Sequence, residues 1–224
     1  MQDIFEYANY IRREVETTLR VFYALRQFRW SLTQPERVHA INLNVHFWTI
    51  FESSARTNMF VGIRRLFESK SDTHDFQSFI NHCRGNIEGF SAPAIRERKL
   101  KGSSNAEDWI DEYMQRIYVG TRKDILDIGR MVRDSSRKMR STYTEAATKI
   151  YVHAIHTDPT EMFELSKDFE FREIETALTS VWHAYQQIWQ LYLNGRKPTL
   201  KIEAYPYADE IAAAVDSQIL GSSA

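Results

Sequence analysis

The sequence predicts an all-α fold, an antiparallel bundle with long helices, and three observations carry that expectation. Gly and Pro are scarce, at 8 and 5 in 224 residues, while apolar residues make up 43%; that balance favours helices on short connections over a sheet with many turns. Apolar residues recur at spacings of three and four over several long stretches, the period that places them on one face of a helix. Between those stretches stand capping-box tetrapeptides and an Asn-Gly stop, with no linker rich in Gly, Ser or Pro. The chain therefore reads as a single helical domain over residues 1–224, long enough to bury a substantial core.

Ile4, Ala8, Ile11, Val15, Leu19 and Phe22 form the first stripe and predict a helix from Gln2 to about Ser31. Thr33-Gln34-Pro35-Glu36 has the form of a capping box, so a second helix should begin there. Its stripe, Val38, Ile41, Val45, Trp48, Ala55, Met59, Ile63 and Leu66, predicts one rod to about Glu68, roughly 50 Å long at 1.5 Å per residue. Two such helices joined by a tight turn form an antiparallel hairpin. Residues 71–74 read as a break, and Asp75 to Cys83 as a shorter helix. Gly85, Gly89, Pro93 and Gly102 then punctuate an irregular, exposed excursion over about 85–105 that contains the basic turn from Arg96 to Lys101. Ser104-Asn105-Ala106-Glu107 resembles another capping box, opening a helix to about Tyr118. Thr121-Arg122-Lys123-Asp124 opens a long helix that reaches the Asp158-Pro159 stop. Asp158 caps a short acidic element. Phe171, Ile174, Leu178, Val181, Tyr185, Ile188 and Tyr192 mark the last long helix, a narrow seam suited to a partner helix, and Asn194-Gly195 with Pro198 ends it. A short appendage over 198–224 holds an extended Thr199–Tyr205 and a modest helix from about Ala208 to Ile219.

Composition narrows the function classes. A formal net charge of −1 gives no global attraction to nucleic acid or membrane, so any such affinity has to come from a local patch. Cys83 is the only cysteine, which excludes an intrachain disulfide and a thiolate zinc site. The first residues carry acids and bases too early for a signal peptide, and no apolar run approaches the ~20 residues that span a bilayer. The expected protein is soluble and cytoplasmic, with no membrane partner. There is no Gly-rich phosphate loop, no Gly-x-Ser-x-Gly, no Cys-x-x-Cys and no His-Glu-x-x-His, and no cofactor or metal is expected. His39 and His46, seven apart, read as helix-face histidines. Arg64 and Arg65 read as a helix-end pair with Glu68, and Phe47, Trp48, Phe51, Trp182, Tyr185 and Trp189 as core or dimer seam.

The most distinctive chemistry lies in Lys138 to Asp158. Met139, Tyr143, Ala146 and Ile150 make an apolar stripe, and Lys149, His153 and His156 put a cation and two imidazoles on a neighbouring face. An imidazole with an unperturbed pKa near 6.5 is suited to proton transfer at neutral pH; the same histidines can equally serve as hydrogen-bonded residues at a helix end, where a positive charge meets the dipole. The segment follows a run over residues 121–140 with seven bases against three acids, while residues 158–176 hold seven acids against two bases. That basic run either tracks a phosphate backbone or is neutralised by its acidic counterpart.

These stretches resemble the HEPN superfamily, in its abortive-infection-type branch. The first is the core-helix end just described; the second is residues 44–69, NVHFWTIFESSARTNMFVGIRRLFES, with an aromatic start and an Arg-Leu-Phe-acid ending. Nucleases of that superfamily carry Arg, four to six residues, then His. In this chain the Arg is missing: counting back from His153 meets Ala146, Ala147 and Thr148, and counting back from His156 leaves only Lys149 in the Arg position. The resemblance implies a HEPN-like helical bundle of prokaryotic defence or toxin–antitoxin type. It also implies a metal-independent endoribonuclease working as a homodimer, with RNA and an antitoxin protein as partners. His153 or His156 would transfer protons and Lys149 or Arg140 would hold the phosphate. The alternatives are a catalytically silent helical module that binds RNA, a nucleotide or a protein partner, and a structural homodimer built on the 171–192 seam.

Overall fold

The computed structural model describes residues 3–68, 74–144 and 170–221, and every regular element among them is helical. Lys149, His153, His156 and the acidic element after Asp158 lie outside the described residues. Helix α1 (Ile4–Ser31) starts at Asp3, whose carboxylate accepts from the Phe5 amide, and buries its whole predicted stripe. Helices α2 (Pro35–Leu43) and α3 (Val45–Phe67) follow, then α4 (Phe76–Gly85), capped by Asp75, which accepts from the Ser78 amide at 2.9 Å. A 3₁₀ turn at Ile87–Phe90 leads into α5 (Ala92–Gly102), and another at Ala106–Asp108 into α6 (Ile110–Met114). Helix α7 (Arg122–Lys138) runs directly into a π-helical turn at Met139–Thr144. Helices α8 (Phe171–Asn194) and α9 (Ala208–Gly221) complete the order.

A single large cluster of buried side chains joins α1, α3, α4, α7 and α8. Ile11, Val15, Leu19 and Phe22 of α1, Phe60 and Ile63 of α3, Ile125 and Ile128 of α7 and Leu178, Val181 and Ile188 of α8 are all sealed from solvent. Glycine sets the closest approach: Gly62 of α3 lies so near Thr18 of α1 that a β-carbon there would fall 2.1 Å from the threonine hydroxyl.

Several expected boundaries are corrected. The second rod breaks at Asn44, whose φ of −133° and ψ of 44° leave the helical region. The break tilts α2 so that Ala40 and Ile41 join Phe28, Trp48 and Ile219 in a satellite cluster, and it strands Val45, a stripe residue, at 47% exposure. Thr33 opens no capping box: its hydroxyl donates to the Trp30 carbonyl and closes α1, and the cap of α2 is Gln34 without a side-chain bond. Ser104–Glu107 gives a 3₁₀ turn and the five-residue α6, with no helix through Tyr118.

The expected irregular excursion at 85–105 is a built part of the bundle. Ser91 caps α5 by accepting from the Ala94 amide, and Pro93 sits in the helix's first turn, where a proline costs no hydrogen bond; Phe90 and Ile95 are fully buried. The C-terminal appendage is anchored too, since Asp216 of α9 accepts from Gln27 and Arg37. The capping box at Thr121 and Asp124 forms as expected, with both halves present. The α8 seam is filled from within the chain, by α1 and α7, so it offers no face for the structural homodimer expected there.

Candidate functional site

Of the phosphate-handling residues the sequence singles out, Arg140 is the one inside the described structure. It stands in the π turn that continues α7. A π turn takes one residue more than an α turn per hydrogen bond and is frequent at functional sites. The turn is held at three points. Met139 and Tyr143 are buried, at 1% and 0% exposure. The Tyr143 hydroxyl donates to Glu173 at 3.2 Å and accepts the Glu170 amide at 3.1 Å. Lys138 pairs with Glu173 across to α8. Burial, followed by the carboxylates of Glu173 and Glu170, pushes the Tyr143 phenol up to about 12, so it is a neutral hydrogen-bond donor at every physiological pH.

Arg140 itself is half-buried. Its Nε is shielded from water and has no hydrogen-bond partner, and no carboxylate among the described residues pairs with its guanidinium. A shielded N–H without an acceptor costs about 1–3 kcal/mol unless a partner meets it. What the arrangement can do chemically is accept an oxyanion: the guanidinium presents a planar fork matched to carboxylate or phosphate.

Three of the seven bases in the run are paired inside α7 itself. Asp127 takes both Lys123 and Arg130, and Asp134 takes Arg137. The acidic counterpart contributes Glu173, through Lys138, and Glu175, which takes Arg26. Arg122 and Arg133 are exposed and make no ion pair among the described residues. Arg64 pairs with Glu68 at 2.8 Å, as the helix-end reading expects, while Arg65 reaches Glu14 of α1. His39 and His46 are exposed, and no group of three His, Cys, Asp or Glu among the described residues is placed to hold a metal. Cys83 is sealed in the core, and burial pushes its thiol far up, which makes it inert. No helix among the described residues is long and apolar enough to cross a membrane.

Two features escaped the sequence. One is an apolar groove of about 610 Å³ between α1, α3 and α9, lined by Val21, Ala24, Phe47, Phe51, Ala55 and Ile211 among others. Phe47, in its wall, is 60% exposed and Ile50 is 67% exposed, so Phe47 is no part of the core. Periodicity assigns such residues to a buried face; only the run Leu43, Val45, Phe47, Ile50, apolar around more than one face, signals an excess. The other is a group of cations at the far end of α8, where Lys99 donates to the Asn194 side chain at 2.5 Å. Its signal is Arg196-Lys197 directly after the Gly195 stop. No family model, no curated protein and no solved structure matches the chain.

Proposed function

We propose that the chain is a HEPN-like helical protein of defence or toxin–antitoxin type that engages RNA through a phosphate held by Arg140. The observation that carries this reading is the half-buried guanidinium in the π turn, shielded at Nε and without a carboxylate partner among the described residues. The antiparallel bundle of that superfamily is supported by the α1–α3 contacts: Arg29 with Glu52, Thr18 with Gly62 and Glu14 with Arg65 run upward along one helix as they run downward along the other. In the active form Arg140 and Lys149 neutralise the scissile phosphate, and His153 and His156 move protons as the ribose 2′-hydroxyl attacks. The products are a cyclic phosphate and a free 5′-hydroxyl, and no metal is needed.

The test is a labelled single-stranded RNA incubated with the protein in chelator. Cleavage that a His153→Ala, His156→Ala variant loses supports the enzyme. Binding that weakens with Arg140→Gln, its log–log salt slope falling by about 0.7 for one released counterion, supports the phosphate contact. RNA left uncut and unbound at low salt defeats both. A second reading, a catalytically silent module that binds a protein partner, is favoured by the groove and by exposed Phe47 and Ile50, because contiguous apolar surface of this kind marks interaction sites.

A further inference from the structure

The C-terminal end of α8 collects more positive charge than the fold can use. Gly195, at φ 55°, turns the chain out of the helix; its carbonyl accepts the Tyr118 amide at 2.6 Å, and the Tyr113 hydroxyl donates to the Asn194 carbonyl at 2.9 Å. That turn delivers Arg196 and Lys197 to the surface beside α5. Arg98 lies over the Tyr192 ring and donates to the carbonyls of Tyr192 and Gly89 at 2.6 and 2.7 Å. Lys99 donates to the Asn194 side chain at 2.5 Å, with its ammonium 5.2 Å from the centre of the Tyr113 ring. Lys197 stands 5.9 Å from the centre of the Tyr118 ring.

A helix end of this polarity accounts for one of these cations. Its macrodipole is equivalent to about −0.5 charge, and Arg98 already serves the last-turn carbonyl of Tyr192. Lys99, Arg196 and Lys197 are three further cations, and none makes an ion pair among the described residues. The carboxylates nearby are committed elsewhere: Asp111 to Arg96, Glu97 to Lys101, Glu112 to Arg116 and Asp124 to Tyr118 and Thr121. The crowding registers on Lys99, whose ammonium is destabilised by burial and then by Arg196 and Arg98. Like charges gathered at one helix end, beside the Tyr113 and Tyr118 rings and without an ion-paired carboxylate among the described residues, are an arrangement that an incoming anion relieves.

We propose that Lys99, Arg196 and Lys197 form a phosphoanion site that takes the phosphoryl oxygens of a phosphate-bearing ligand. The site is separate from Arg140. Lys138 and Tyr143 meet α8 at Glu173 while Lys99 meets it at Asn194, and the 21 residues between span about 32 Å at 1.5 Å per residue. Ligand and protein meet through charge, with Arg98 left as the structural member that holds α5 against α8.

Titration calorimetry at low salt with inorganic pyrophosphate, and separately with a single-stranded oligoribonucleotide, tests the site and separates its sources. Binding of pyrophosphate assigns it to small phosphoanions; binding of the oligonucleotide alone assigns it to a polymer backbone. In either case Lys99→Gln, Arg196→Gln, Lys197→Gln weakens binding by about tenfold or more and lowers the oligonucleotide salt slope by about 2. The triple substitution costs the same factor in an Arg140→Gln background, and Lys99→Arg retains pyrophosphate binding. Should the triple variant fail to keep the wild-type urea midpoint, Arg196→Gln, Lys197→Gln at two exposed positions reads the same loss. If neither ligand binds the wild-type protein, or the variants bind as tightly as it does, the site does not exist.

Discussion

Substituting Gly62 by Ala tests the α1–α3 contact on which the bundle is built. The added β-carbon would lie 2.1 Å from the Thr18 hydroxyl and 3.0 Å from both Thr18 Cβ and Cγ2, well inside van der Waals separation. Thr18 has little room to retreat: it is 2% exposed, its neighbours Val15, Leu19 and Phe22 are fully buried, and its hydroxyl is tied to the Glu14 carbonyl at 2.6 Å. Helix propensity alone would make Ala about 1 kcal/mol better than Gly. Overpacking of a filled interface costs about 1–3 kcal/mol, and a contact this short places the cost at the upper end, so the expected net loss is about 2 kcal/mol. Equilibrium urea unfolding reads it as a lower midpoint at unchanged slope. In a Thr18→Ala background the hydroxyl and Cγ2 are gone and only the 3.0 Å contact with Cβ remains. Gly62→Ala should then cost about 1 kcal/mol or less, giving a coupling energy of about 1–2 kcal/mol in the double-mutant cycle. A neutral or stabilising Gly62→Ala, or strict additivity with Thr18→Ala, would refute the close approach.

Alkaline pH provides an independent probe of the core. Burial holds the Tyr143 and Tyr185 phenols up at about 12, against about 10 in an unfolded chain; a raised folded value means that stability is whole below pH 10 and is lost as pH climbs toward 12, by about 2–3 kcal/mol per tyrosine. Urea midpoints measured from pH 8 to 12 should stay flat and then fall, and tyrosinate absorbance should rise late, together with unfolding; early titration of these phenols would mean they are not buried. At Gly195, alanine must adopt φ 55° and place its β-carbon 2.8 Å from Ile117 Cβ. That combines about 1–2 kcal/mol of left-handed strain with a clash, and thermal unfolding should show a clear drop where Gly85→Ala, at a site with nothing within 4 Å, shows none.

The helices and their core faces were legible because burial imposes a period. The α1 stripe is buried residue for residue, as is the α8 stripe from Ile174 to Tyr192, and the Thr121–Asp124 box forms because its side chains bond backbone amides three residues away. The misreadings share a cause, which is that a local signal was overruled by a tertiary partner. Asn44 breaks a continuous stripe because Phe28 and Ile219 give Ile41 and Trp48 a pocket that a straight rod would miss. Gly89 and Pro93 read as loop punctuation, yet Pro93 occupies a first helical turn and Gly89 lies against Ile4 and Tyr192. The cation groups were half legible: Arg140 stands out in a basic run, but whether a cation has a partner depends on which carboxylates the fold brings to it. The Lys99–Arg196–Lys197 group joins residues almost a hundred positions apart, a juxtaposition that no spacing rule reaches.

Arg98 and Arg140 are both half-buried guanidiniums with a shielded, unpartnered Nε, and they should respond oppositely to the same substitution. Arg98 gives two charge-assisted bonds to carbonyls and lies 3.8 Å from the centre of the Tyr192 ring. Replacing it with Met removes both bonds, leaves the carbonyls of Gly89 and Tyr192 short of a donor, and should cost about 3 kcal/mol. Arg140 has no such acceptors among the described residues, so Arg140→Met removes a shielded, unpartnered Nε while keeping roughly the length of the side chain, and should leave stability unchanged or raise it by about 1 kcal/mol. Urea midpoints of the two variants decide the matter. Opposite signs mark Arg140 as a group the fold carries at a cost, as expected of a residue kept for a ligand. Equal losses would mean that Arg140 holds the π turn together, and the phosphate assignment would lose its physical basis.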